Sequence, residues 1–252
     1  MNSSARAVIA AMLTFAGALV GFSVQWLAPT QNVAEANGVT GSIVGLVTLL
    51  FVLVLGLLLW MSYSLFVTQN RESQSLGPLI LKLDLALEQY GPEARRGREL
   101  LRAAVVRARD RFWGAARRES GASPYAQARS DLQEITAFFA RLEPVTDQQK
   151  RLITTAMPIF TQVVEITLLM TRQLENRVPK LLIFMLIGWS ALLFVAYGLL
   201  GALNALGFVA VALGSIAVAG AVFLIFEFNQ PYSGVIRISP VGVDNLIAIL
   251  GA

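Results

Sequence analysis

Two hydrophobic patterns divide this chain. Four stretches, at positions 5–28, 43–65, 181–203 and 206–228, are apolar on every helical face. Each is 23 or 24 residues long. At about 1.5 Å rise per residue that suffices to cross a hydrocarbon layer of about 30 Å. The stretches come in two pairs. The third and fourth are separated only by Asn204 and Ala205, which predicts a tight helical hairpin. Between the pairs the pattern changes to an amphipathic one. Leu76, Leu79, Ile80, Leu83 and Leu87 recur at helical spacing and continue the second span, with a boundary or kink near Gly77-Pro78. Tyr90-Gly91-Pro92-Glu93 reads as a break and restart. The next helix, from Pro92 to about Arg118, carries Leu100, Leu101, Ala104, Val105, Ala108 and Phe112 on one face. Ser123 and Pro124 open another, with Leu132, Ile135, Phe138, Phe139 and Leu142, and Glu143-Pro144 stops it. Thr146 or Asp147 caps a last long helix running to about Arg177. No segment alternates with period two over a useful length, so the class is all-α.

One segment is ambiguous. Positions 152–170 are nearly long enough to span, yet they hold Pro158, Gln162 and Glu165. A charge at mid-membrane costs about 2.5–3.5 kcal/mol on insertion scales. A fifth span would also separate the termini with no charge asymmetry to support it. The segment is therefore expected to be a buried cytoplasmic helix. The predicted organisation is two transmembrane helices in 1–67, a cytoplasmic helical domain in 68–180, two more transmembrane helices in 181–228, and a cytoplasmic turn and tail in 229–252.

Composition sharpens this picture. Of the 252 residues, 56% are hydrophobic and 14% charged, against about 25% charged in soluble domains. Of the 20 Lys and Arg residues, 18 lie between Arg71 and Lys180. The basic balance belongs to the middle block, and anionic lipid headgroups explain it more simply than nucleic acid does. The Arg-rich face of 95–118 is expected to be solvated or lipid-facing. Arg71, Lys82, Arg172, Arg177 and Lys180 flank the inner ends of spans two and three, and the 29–40 loop has no Lys or Arg. The positive-inside rule then puts both termini and the middle block in the cytoplasm. Ala34-Glu35-Ala36 mimics a signal-peptidase site but lies well past an apolar run too long for a signal sequence, so the first helix is expected to be retained. The chain contains no Cys and no His. That removes disulfides, thiolate nucleophiles, the Ser-His-Asp triad and most zinc and haem sites. No enzyme, cofactor or metal site is expected.

The remaining polar and aromatic residues suggest two regions of interest. In span two, Thr48, Phe51 and Leu55 sit at successive turns, and Ser62 and Tyr63 place hydroxyls at the inner end. Several copies around an axis would form a hydrophobic constriction there. After span four comes a turn-like string containing Glu227, Asn229, Pro231, Tyr232, Gly234 and Arg237. Glu227 ends an apolar span and needs a partner, which Arg237 or Arg177 could supply. Gly17 with Gly21, and Gly41 with Gly45, fit the four-residue spacing that lets helix backbones approach.

Three strings in this order resemble the bacterial bestrophin-like domain family: Gly45-Leu46-Val47-Thr48-Leu49-Leu50; Leu87-Glu88-Gln89-Tyr90-Gly91-Pro92-Glu93-Ala94-Arg95 with Leu100-Leu101-Arg102; and Pro231 through Ser239. The resemblance spans nearly the whole chain. It implies kinship with bestrophins, pentameric anion channels with four membrane helices per subunit and a helical cytosolic part. Bestrophins carry an Asn-Pro-Phe-Gly-type turn near a Ca²⁺-controlled region. Asn229–Gly234 is similar, with Gln230 and Ser233 added, but Val, Ile and Arg follow Gly234 instead of an acidic cluster. No Ca²⁺ clasp is expected.

The expected function is a homo-oligomeric, pentameric ion channel of the bacterial inner membrane, anion-preferring, with span two lining the pore. Its partners would be the bilayer, copies of itself and inorganic ions. The alternative is a membrane-anchored scaffold or sensor whose cytoplasmic block binds a partner or anionic lipid without conduction.

Overall fold

The computed structural model describes residues 3–27, 30–114, 123–175, 180–201 and 203–251. Among them are eight α-helices: α1 (Ser3–Leu27), α2 (Thr30–Tyr90), α3 (Arg95–Trp113), α4 (Pro124–Ala140), α5 (Asp147–Glu175), α6 (Lys180–Leu200), α7 (Ala205–Phe228) and α8 (Val241–Ile249). Two units divide them. One comprises Met1–Phe66, Val178–Gln230 and Gly234–Ile236; the other Val67–Arg177, Pro231–Ser233 and Arg237–Ala252.

In the first unit, α1 lies against α6 and α7. Small residues make the α1–α6 approach possible. A Cβ on Gly17 would stand 2.6 Å from the Ala191 carbonyl oxygen, and Gly21 and Gly198 meet the opposing backbone still more closely. The second small-residue pair does not act this way within the chain, because a Cβ on Gly41 or Gly45 would meet nothing within 4 Å. Phe51, Leu58, Ile183, Leu186, Leu193, Val222 and Ile225 form the apolar core. The hairpin between α6 and α7 is closed by Asn204, whose side chain accepts from Gly207 N–H at 2.9 Å and caps α7. Arg6 places its guanidinium 4.8 Å from the Phe226 ring centre, so its charge is held over an aromatic face.

α2 is one 61-residue helix with Pro78 inside it. The expected boundary at Gly77-Pro78 is absent, and the helix begins at Thr30, inside the stretch expected to be a loop. It ends at Gly91, whose φ of 118° no L side chain adopts easily.

The second unit is a helical bundle with its own core. Leu83 and Leu87 of α2, Leu101 and Val105 of α3, Leu132, Ile135 and Phe139 of α4, Phe160 and Val163 of α5, and Leu246 of α8 meet there. Ser123 caps α4 by accepting from Ala126 N–H at 3.4 Å. Thr146 and Gln149 form a reciprocal capping box at the start of α5, each bond 3.2 Å. By length and composition five helices could cross a membrane: Ser4–Leu27, Thr40–Tyr90, Asp147–Gln173, Leu181–Leu200 and Ala205–Phe228. The third of these is α5, which puts Ala156, Phe160 and Val163 into the core of the second unit. α8 falls within the stretch read from the sequence as a turn and tail.

Candidate functional site

Along α2 the helical register separates a packed face from an open one. Val44, Val47, Thr48, Phe51, Val54, Leu55, Leu58 and Ser62 are buried or half-buried. Leu46, Leu49, Leu50, Leu53, Leu57, Trp60 and Met61 are exposed. Four of the five expected pore residues therefore point into their own chain. The Thr48 hydroxyl donates to the Val44 carbonyl at 2.7 Å and pairs with the Tyr197 hydroxyl at 2.6 Å. Phe51 meets Trp189 edge-on, with ring centres 6.1 Å apart. Leu55 packs on the core beside Phe51. Ser62 donates to the Leu58 carbonyl at 2.8 Å and accepts from Asn229 Nδ2 at 3.1 Å. Tyr63 alone is exposed, its ring edge against Phe228 at 5.5 Å. Within the subunit, then, the side chains of Thr48, Phe51, Leu55 and Ser62 serve packing. The open face is mainly Leu, together with Trp60 and Met61.

The string after α7 is organised by backbone donors. The Glu227 carboxylate is 1% exposed and accepts from the N–H groups of Val235 at 2.7 Å and Ile236 at 3.0 Å. The chain can curl around it because Gly234 has φ of 112° and no side chain: a Cβ there would lie 2.5 Å from Glu227 Oε2. Two peptide groups are thus among the partners of Glu227. Arg237 is exposed, and Arg177 lies outside the described residues. Asn229 also donates to the Ile225 carbonyl at 2.8 Å, closing the end of α7.

In the second unit Pro231 accepts from the Ile238 N–H at 2.7 Å, pinching the string into a loop. Tyr232 projects from that loop and is 3% exposed. Its ring packs on Phe112 and Trp113, with centres 4.8 and 4.9 Å away. Its hydroxyl donates to Gln69 Oε1 at 2.6 Å. Gln69 in turn donates to Gln173, and Gln173 to Glu72 at 3.3 Å. Trp113 ties the other arm of the loop, donating from Nε1 to the Ile238 carbonyl at 2.8 Å. Sequence reasoning picked Tyr232 and Pro231 but missed Gln69, Gln173 and Trp113. A signal existed for Gln69: it continues the packed register of Ser62 and Phe66, where a polar residue needs a partner.

The arginines of α3 are largely engaged. Arg98 forms a two-pronged pair with Asp84, each bond 2.8 Å, and Asp84 is 4% exposed. That hydrogen bonding, helped by the charges of Asp84 and Glu88, holds the Arg98 guanidinium above its ordinary pKa against the opposing pull of desolvation. Arg107 and Arg111 share Asp131, the former at 2.6 Å. Arg109 reaches Asp244 at 3.0 Å and anchors α8. The expected solvated arginine face is seen at Arg95 and Arg96, whose side chains are 86% and 70% exposed. Arg98, Arg107 and Arg109 are partly exposed and paired with aspartates, and Arg111 is buried.

These features define an all-helical membrane protein with two helical units, one apolar on the scale of a bilayer and one charged. A family model for the bestrophin-like domain matches residues 11–243, and the chain belongs to that family. Two crystal structures of a bacterial bestrophin homolog from Klebsiella pneumoniae, each with one mutation, share its fold. Their TM-scores are 0.72 and 0.69 at 14% and 16% identity, and each match covers 98% of this chain and 100% of the other. Comparison with curated proteins finds no match. Membership of this family, rather than any gap in catalytic chemistry, sets the chain apart from enzymes.

Proposed function

We propose that the chain is a subunit of a bestrophin-like ion channel, assembled as a homo-pentamer around an axis lined by α2. The observation that carries this reading is the open face of α2. Leu46, Leu50, Leu53, Leu57 and Trp60 follow one another at helical spacing, uncharged and uncovered by their own chain. Arranged around an axis, such stripes make a narrow apolar neck that gates by wetting and dewetting. Four helices cross the bilayer: α1, the first half of α2, α6 and α7. α5 stays outside, since its apolar face is already used in the bundle. Both termini and the bundle lie in the cytoplasm of a bacterial inner-membrane protein. The bundle region 68–180 carries eighteen Lys and Arg against thirteen Asp and Glu. That excess concentrates anions at the pore mouth and favours anion over cation conduction.

The absence of native Cys makes the test direct. Single cysteines placed at 46, 48, 50, 51, 53, 55 and 57 are exposed to a water-soluble thiol reagent while current is recorded in a planar bilayer. Modification at 46, 50, 53 and 57 should change the current. Modification at 48, 51 and 55 should not. The reverse pattern contradicts the proposed register, and a cation-selective reversal potential in a KCl gradient contradicts the anion preference.

A further inference from the structure

The bundle contains a cavity of about 470 Å³ that the channel reading does not use. It lies among α2, α3, α4, α5 and α8, within the second unit. Volumes of this size hold small-molecule ligands. Its origin is visible in α3. Leu101 and Val105 fill the core, whereas Ala104 and Ala108, one turn apart, leave room on the adjoining strip. Across from them Gly77 of α2 adds no side chain, and a Cβ there would meet nothing within 4 Å. The walls are mainly apolar, with Ile80, Leu132, Ile135 and Met170 among them.

One polar group in the wall is anomalous. The Arg111 side chain is 6% exposed, and one terminal nitrogen is bound by Asp131. Its Nε is buried and has no hydrogen-bond partner. A buried N–H of a charged group is normally satisfied. Arg111 lines a mainly apolar cavity, and an oxygen acceptor on an otherwise aliphatic molecule seated there would satisfy this N–H once the side chain shifts slightly. Asp131 is already engaged by Arg111 through one oxygen and by Arg107 through the other, at 2.6 Å, and makes no bond to Nε.

We propose that this cavity binds an acyl chain ending in a carbonyl or carboxylate oxygen, with the oxygen on Arg111 Nε and the chain along Ala104, Ala108 and Gly77. A free fatty carboxylate and an acyl ester of a membrane lipid share this chemistry. The site is independent of whether the protein conducts ions.

Trp113 lines the cavity and supplies the probe. The full chain, with Trp26, Trp60 and Trp189 changed to Phe, is placed in lipid nanodiscs and titrated with 12-bromododecanoate. Trp113 fluorescence should be quenched saturably, at one ligand per chain, and unbrominated dodecanoate should reverse it. Ala108→Phe, which fills the cavity and leaves Arg111 in place, should abolish the saturable component. Arg111→Lys keeps the charge for Asp131 but removes Nε, and should weaken binding at least tenfold. The brominated methyl ester separates the sources: equal binding assigns a lipid ester, and loss of binding assigns the free carboxylate. Should the triple Trp variant misfold, equilibrium dialysis of radiolabelled dodecanoate against wild type and Ala108→Phe gives the same comparison. Quenching or uptake that does not saturate, or that is unchanged in Ala108→Phe, overturns the proposal and leaves a second copy of the chain as the occupant of this space.

Discussion

Glu227 and Gly234 show how one residue depends on another's missing side chain. A buried carboxylate at the end of an apolar helix is tolerated because two peptide N–H groups point at it, and charge-assisted bonds of this kind are among the stronger ones. Only glycine permits that curl. Gly234→Ala should therefore lower unfolding stability by about 2 kcal/mol, from positive φ strain and crowding of the carboxylate. Thermal unfolding in detergent checks this. An unchanged midpoint would mean the curl is not required. Tyr232→Phe removes only the hydroxyl that meets Gln69 and should cost about 1 kcal/mol in the same assay. Arg98 makes a prediction about pH. Its folded pKa is raised, so the stability it contributes is present at all pH values below its unfolded pKa. It is lost only as pH rises through the folded one, beyond the usual alkaline range of arginine. The Arg98–Asp84 contribution, measured as the difference between wild type and Arg98→Gln, should stay flat from pH 7 to 10.

At the scale of elements, α3 and α1 are held by different devices. α3 is fastened by ion pairs to three other helices, through Asp84 of α2, Asp131 of α4 and Asp244 of α8. Asp131→Asn leaves the buried Arg111 charge uncompensated and should destabilise the bundle by about 3 kcal/mol, seen as a lower urea midpoint. α1 depends instead on backbone approach at Gly21 and Gly198. Gly198→Leu should prevent stable folding of the first unit, whereas Gly45→Leu should not, because among the described residues no atom lies within 4 Å of where its Cβ would stand. Both variants can be compared by the yield of monodisperse protein. The helices around these contacts were legible from sequence because they obey strong local rules. The apolar runs, the Ser123-Pro124 and Thr146 caps and the Gly91-Pro92 break all leave local marks. What could not be read was pairing. Nothing local says that Gly17 has a partner helix and Gly45 has none, or that Arg98 has an aspartate while Arg96 faces water. α8 was missed because nine residues give a weak periodic signal and Asp244 gains meaning only once Arg109 is beside it. At Gly77-Pro78, where a boundary or kink was expected, the helix does not end, because the apolar register of Leu76, Leu79, Ile80 and Leu83 continues through it into the bundle core.

At the scale of the whole molecule, the family and the all-helical class were legible because they rest on order and composition spread over the chain. The packing partners of the candidate lining residues were not. In a membrane helix the positions with distinctive chemistry draw the eye, yet Thr48, Phe51 and Ser62 owe their identity to Tyr197, Trp189 and Asn229. The face open for an axial role is the least distinctive one, a Leu stripe. The proposed neck would act by size and wetting, with charge selection left to the basic bundle. The central claim is that copies of α2 enclose a conducting path. Ion flux from proteoliposomes of the purified protein, measured beside empty vesicles, tests it most directly. The account predicts flux above the empty-vesicle level, raised several-fold when Leu53→Ala and Leu57→Ala widen the neck. No flux above empty vesicles at any applied voltage, in wild type and widened variant alike, would contradict it and leave the membrane-anchored scaffold.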